Sequence, residues 1–261
     1  MQDKLNVAIA AAKAAGEEIL TYDPKTVNAT IKSTAGDLVT AADLASEQVI
    51  TATLSKSFPN KRIISEETIE GQDLLAEAHI ANLTGWVIDP IDGTNNFKKG
   101  MSYSGISIGY IEQGQIKIGV VYDPYRDELY TAVRGTGAMR NGVQIHVSDT
   151  MVFDAGTRVC TSNSYEGGTQ ANIERYAKLG HVWVDVLGSA VLIMTDVASG
   201  RLDLYHHNGL KPWDNAAAFL ILEEAGAKIT DLAGNPTTWL TSDIVVGNPT
   251  LVDEFVRKTS T

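Results

Sequence analysis

Two carboxylates three residues apart follow an apolar run in Trp86-Val-Ile-Asp89-Pro90-Ile91-Asp92-Gly93-Thr94. Hard divalent cations such as Mg²⁺ take oxygen ligands, usually a few carboxylates completed by water and phosphate oxygens. Asp89 and Asp92 suit such an ion, with the Ile91 carbonyl between them as a further donor. Pro90 fixes φ between the two acids. Gly93 permits a tight turn into a helix start, where free N–H groups at Gly93 and Thr94 suit a phosphate. The same residues also spell an Asp-Pro turn followed by an Asp-Gly turn, both common between strands. Further acids stand at other element ends. Glu66 and Glu67 follow the short strand candidate Lys61 to Ser65, and Asp214 follows Trp213 at a helix start. Taken singly, a glutamate pair is a solvated face and an aspartate at a helix start is a cap. Together these acids make the oxygen-rich set that a two- or three-metal phosphoryl-transfer site requires.

The elements that must position these acids are legible in outline. The chain has 261 residues, enough for one to two domains and a sizeable core. Hydrophobic content of 44% and charged content of 20% are those of a globular protein. A formal charge of −11 argues against a broad electrostatic nucleic-acid or membrane-surface binder and leaves room for a cation site. Cys160 is the lone cysteine, which excludes an intramolecular disulfide framework and a cysteine-built zinc cluster. Leu5, Ile9, Ala12, Gly16 and Ile19 fall at helical spacing among charged residues, so the N-terminus reads as a surface helix rather than a signal core. No apolar run approaches the roughly 18 residues of a membrane span, and the expected location is the cytoplasm.

Thr40-Ala-Ala-Asp43 spells a capping box opening a second helix, whose face continues through Ile50, Leu54 and Phe58 until Pro59-Asn60 stops it. From Ser104 to Val147 short alternating strands and Gly turns predict an antiparallel meander. Gly188-Ser189 opens a helix ending before Gly200, and Asp214 opens another ending at Gly226. The fold class is therefore α+β joined to α/β. The expected division is an N-terminal α+β part over residues 1–147, with most of the metal ligands, and a C-terminal α/β part over 148–261, with Asp214 and the substrate loops. Gly105-Ile-Ser107-Ile-Gly109 matches the G-x-S-x-G of serine hydrolases. Ser107, however, lies among alternating isoleucines rather than at a strand-to-helix turn, so that chemistry is rejected.

These segments carry a resemblance. Ile64-Ser65-Glu66-Glu67, Trp86 to Phe97, and Pro212-Trp213-Asp214 followed by Glu224-Ala225-Gly226 are similar to the inositol monophosphatase family of Mg²⁺-dependent, lithium-sensitive phosphatases. Asp37-Leu-Val-Thr40-Ala-Ala-Asp43 and Gly135-x-Gly137-Ala138-x-x-Asn141-Gly142 match two more family segments, in the family's order, over nearly the whole chain. The resemblance implies a two-part layered αβαβα sandwich, two to three Mg²⁺ ions, a small phosphorylated metabolite as substrate, and commonly a homodimer. It implies Glu66, Asp89 and the Ile91 carbonyl at one ion, Asp89, Asp92 and Asp214 at a second, and Glu66 again at a third. It also implies Thr94, oriented by Asp43, as the activator of water. Asp92, Gly93, Thr94, Asp214 and the Gly188-Ser189-Ala190 segment are implied to meet the substrate. One position departs from the pattern. The acid expected seven residues before Asp214 is His207, next to His206, and an adjacent histidine pair on a loop reads as exposed. The departure puts inositol itself in question, because relatives also hydrolyse histidinol phosphate, sugar phosphates, fructose bisphosphate or 3′-phosphoadenosine 5′-phosphate. Some bacterial relatives also bind the transcription machinery, which keeps a regulatory binding protein on the same fold as an alternative. Leaving-group recognition is expected on loops at Thr161 to Gly168 and Tyr205 to Gly209.

Overall fold

A computed structural model describes residues 1–32, 38–68, 82–161 and 169–259. Helix α1 (Gln2–Ile19) buries Ala8, Ala11, Ala12, Ala15, Gly16 and Ile19, a stripe of small side chains that lets helix α2 (Ala41–Ser57) lie close beside it. Thr40 opens α2 with the expected capping box: its hydroxyl accepts from the Ala42 and Asp43 N–H groups, and Asp43 accepts from the Thr40 N–H. Strands β1 (Ala29–Ile31) and β2 (Leu38–Thr40) form a separate two-stranded ribbon.

The two helices cover one face of a seven-stranded sheet. Its strands are β3 (Arg62–Ser65), β4 (Gly85–Asp92), β5 (Gly105–Glu112), β6 (Gln115–Asp123), β7 (Glu128–Val133), β8 (Ala138–Arg140) and β9 (Val143–Ile145), in spatial order of sequence. Only β3 and β4 pair parallel; the rest is the expected antiparallel meander. Trp86, Ile88, Ile106, Ile108 and Tyr110 point toward α1 and α2, as period-2 alternation requires.

The opposite face meets helices α5 (Ala190–Ala198) and α6 (Pro212–Glu224). All nine residues of α5 are buried, as expected of a helix enclosed on every side. The approach of α6 to the sheet is set by glycine. A Cβ on Gly119 would stand 2.3 Å from the Ala217 carbonyl oxygen, and one on Gly109 would stand 2.9 Å from the Ala216 Cβ. Gly109 thus owes its place to helix packing, and Ser107 lies inside β5, donating to the Trp213 carbonyl at 3.3 Å. The hairpin at Gly135 to Gly137 is fastened to the end of α6, where Glu224 accepts the Gly135 and Gly137 N–H groups, each at 2.7 Å.

Beyond these helices lies a five-stranded sheet of β10 (Arg158–Thr161), β11 (Trp183–Asp185), β12 (Leu204–His207), β13 (Lys228–Thr230) and β14 (Ile244–Gly247), ordered β11-β10-β12-β14-β13. Helices α4 (Thr169–Ala177) and α7 (Pro249–Thr259) cover its outer face through Tyr176, Leu251, Val252 and Phe255. Together with the short helix α3 (Thr94–Lys98), the described residues make seven helices and an αβαβα layering.

One expectation is overturned. His206 and His207 do not lie on an exposed loop; they are on β12, between β10 and β14. His206 is fully buried between the Tyr176 and Phe255 rings, and neither of its nitrogens has a partner among the described residues. Burial drives the imidazole down to about 3 for His206 and about 4 for His207, so both are neutral across the physiological range.

Candidate metal centre

The centre begins with an irregularity in β4. Asp89 pairs with Ser107 and Asp92 with Gly105, so three steps along β4 match two along β5. In a regular strand, residues three apart face opposite sides; the one extra residue restores parity and turns both acids toward the α5–α6 layer. Pro90, which has no N–H to donate, falls in the irregular stretch. Its carbonyl accepts from the Ser46 hydroxyl of α2 at 2.7 Å, and Asp89 Oδ1 accepts from the Ile91 N–H at 3.0 Å. Gly93 takes the left-handed φ of 90° that opens α3.

The third acid arrives from α6. Pro212 starts the helix, and Asp214 in its first turn accepts from the Lys211 N–H at 2.7 Å. Oxygens of Asp89, Asp92 and Asp214 then lie within 4.8 Å of one another. Asp92 is also gripped by the start of α5: its Oδ2 accepts from the Ser189 hydroxyl and from the Val191 N–H at 2.9 Å. The Gly188-Ser189-Ala190 segment therefore does stand against the acids. Asn96 holds its approach by donating to the Leu187 carbonyl at 2.7 Å and the Tyr103 carbonyl at 2.7 Å.

Thr94 Oγ1 stands 2.9 Å from Asp43 Oδ1 and 3.1 Å from the Ile91 carbonyl, so its single proton has two acceptors in reach. Asp43 caps α2 with one oxygen and faces Thr94 with the other. Glu66 and Glu67 form a short 3₁₀ turn after β3. Glu66 is not within the triad; both glutamates are bridged by Lys32 Nζ, at 2.8 Å and 2.7 Å.

Electrostatically the centre is a surplus of negative charge. Burial, then Glu66 and the neighbouring aspartates, hold Asp89 well above the carboxylate range, and burial with Asp92 does the same to Asp214. Burial raises Asp92 to about 7 against the opposing bonds from Ser189 and Val191, and raises Asp43 to about 6. Glu67 is held at about 8 by burial and by Glu66, in spite of Lys32. Buried like charges at this spacing call for a cation, and a donor set made only of carboxylate and carbonyl oxygens suits Mg²⁺ rather than a soft or imidazole-preferring metal.

Lys32, Asn96 and Ser46 were not foreseen from the sequence. Each acts across a long sequence separation, which local spacing does not encode. Asp37 and residues 162–168 of the expected recognition loop lie outside the described residues.

The αβαβα layering and an all-oxygen centre where β4, α5 and α6 meet define a class of layered proteins whose clustered acids could hold a hard cation. The chain belongs to the inositol monophosphatase family, whose profile matches residues 1–261. It is 40% identical to the Nus factor SuhB of Escherichia coli over 97% of this chain and 94% of that one. Among solved structures, the Thermotoga maritima IMPase is 33% identical with a TM-score of 0.87, covering 99% of this chain and 97% of that one. A structure of inositol monophosphate-bound SaIMPase-II is 28% identical with a TM-score of 0.78, covering 98% of this chain and 93% of that one.

Proposed function

We propose that the chain is a Mg²⁺-dependent phosphomonoesterase acting on a small phosphorylated metabolite of the inositol monophosphate kind. The observation that carries this reading is the convergence of Asp89, Asp92 and Asp214 within 4.8 Å at a buried strand end. Kinship with an IMPase and with an inositol monophosphate-bound protein supports it. Bound Mg²⁺, two to three ions, supplies a lowered pKa for the attacking water and neutralises charge on the phosphate and leaving oxygens.

In this reading Asp89, Asp92 and Asp214 hold the ions, joined by Glu66 and the Ile91 carbonyl. The Thr94 hydroxyl donates to Asp43, which turns its oxygen lone pairs toward water at the reacting centre; as that water gives a proton to Thr94, the Thr94 proton passes to the Asp43 carboxylate. The first N–H groups of α3, with Gly93, face the phosphate, while the Gly188-Ser189-Ala190 segment borders it and keeps its own donors on Asp92. His207 is neutral, so on the leaving-group side it offers a hydrogen-bonding imidazole rather than a carboxylate. That favours a leaving group other than one tuned to an acid, with histidinol phosphate, fructose 1,6-bisphosphate and 3′-phosphoadenosine 5′-phosphate the alternatives. Lithium sensitivity and a homodimer in the cytoplasm belong to the same reading.

The test is phosphate release from a panel of these esters, with and without Mg²⁺, by wild type and Asp89→Asn. Turnover of one ester by wild type alone, only with metal, is the expected result; full activity in Asp89→Asn would refute the metal assignment. A second reading rests on the 40% identity to a Nus factor: a regulatory protein that binds transcription components on this fold. Folded, Mg²⁺-binding protein that hydrolyses nothing in the panel would favour it.

A further inference from the structure

Lys32 has an unusual place. It follows β1, whose three residues are all exposed and which, among the described residues, pairs with β2 alone. Its neighbour on β1, Ile31, is 58% exposed. Yet the Lys32 side chain is only 8% exposed, with its ammonium against Glu66, 20% exposed, and Glu67, 3% exposed. At its end the ammonium is held by these two acids. Buried ion pairs of this kind contribute little net stability, because desolvation offsets the Coulomb gain. A lysine, moreover, is a compact point charge on a flexible stem that lets go of a carboxylate more readily than a bidentate arginine.

We propose that Lys32 is an internal competitor for the cation at Glu66: its ammonium holds the carboxylate that the last ion needs, and binding of that ion displaces it. The inference rests on the metal reading above and adds the control of its loading. Asp89, Asp92 and Asp214 have no ammonium partner among the described residues, so ions they hold meet no such competitor. An ion that draws on Glu66 must first break the Lys32–Glu66 pair. The occupancy of that last position is therefore set low by the protein itself. Loading it also frees one of the contacts that hold the β1–β2 ribbon at the centre, leaving the Thr40–Asp43 capping bond in place.

The experiment is Mn²⁺ binding to the full chain at fixed pH and ionic strength, read by loss of the free-ion electron paramagnetic resonance signal. Wild type, Lys32→Met, Lys32→Gln, Lys32→Arg and Asp89→Asn are compared. Two neutral variants are used so that a folding failure in one leaves the other. The expected result is that Lys32→Met and Lys32→Gln tighten the weakest class of Mn²⁺ roughly tenfold, equivalent to about 1.4 kcal/mol of lost competition. Lys32→Arg keeps the charge and grips the carboxylate at least as firmly, so its weakest class is expected at wild-type affinity or below. Unchanged or weaker binding in both neutral variants would overturn the proposal and make Lys32 a brace for Glu66. Mn²⁺ binding by wild type that Asp89→Asn does not weaken would instead overturn the underlying metal reading.

Discussion

Asp214→Asn should stabilise the metal-free protein. The substitution is isosteric, and the amide oxygen can still accept the Lys211 N–H, so the start of α6 keeps its cap. What it removes is one negative charge within 4.8 Å of two others. At an effective dielectric of about 20, each pair at that separation repels by about 3.5 kcal/mol. That sum is not reached, because a carboxyl can escape by binding a proton. Holding an ordinary aspartate protonated near pH 7 costs about 4 kcal/mol, which caps the penalty. Asp214 is partly open to solvent, and screening lowers it further. The expected gain is about 1–3 kcal/mol near pH 7, read by urea denaturation in a chelating buffer. The folded-state pKa of Asp214 is raised, so its penalty is present at neutral pH and fades as pH falls toward the unfolded carboxyl value. The advantage of the variant should fade with it. In excess Mg²⁺ the order should reverse, since wild type gains binding energy that the variant loses. A chelated Asp214→Asn protein less stable than wild type near pH 7 would refute the claim that the centre is strained by uncompensated charge.

Other consequences can be checked one by one. His206→Phe should flatten the acid limb of stability. A neutral, fully buried histidine with a folded pKa of about 3 and an unfolded value near 6.5 withdraws about 2 kcal/mol between pH 7 and pH 5. Urea midpoints at the two pH values should therefore differ by that much less in the variant; an unchanged difference would mean that His206 titrates normally in the fold. Ser189→Ala removes both the α5 cap and a donor to Asp92, and should lower stability by about 1–2 kcal/mol. Proton uptake by Asp92 should also become easier, so a Mg²⁺ affinity that falls off at higher pH than in wild type is expected from calorimetry. Gly119→Ala should be among the most damaging small changes, because its Cβ would fall 2.3 Å from the Ala217 carbonyl oxygen. A loss of at least about 3 kcal/mol is expected, and a wild-type melting temperature would show that α6 can retreat from the sheet.

The acids at the ends of β3 and β4 were readable because the apolar runs before them announce strands and the runs stop at carboxylates. Thr40-Ala-Ala-Asp43 was readable for a similar reason: a capping box is a local code, and here both of its bonds form. The glycines of Gly105-Ile-Ser107-Ile-Gly109 were seen, but the reason for Gly109 was not, since a helix more than a hundred residues later supplies it. His206 and His207 misled because polar residues in a central strand break the alternation on which strand prediction rests. Asn208-Gly209 after them spells a turn, and only tertiary pairing with β10 and β14 overrides that signal. Lys32 could not be found by spacing, because its partners lie 34 and 35 residues away.

The buried layer of α5 and α6 has a mechanical meaning. Each helix lines the inner faces of both sheets, so neither sheet can shed its neighbour without uncovering its own interior. The first turns of these helices carry Ser189 and Asp214, and β4 brings Asp89 and Asp92 to meet them. A single object gripped by those side chains would span the joint between the meander sheet and the helical layer, much as a rivet joins two plates. Emptying and refilling that grip would then be felt as slackening and tightening of the whole molecule.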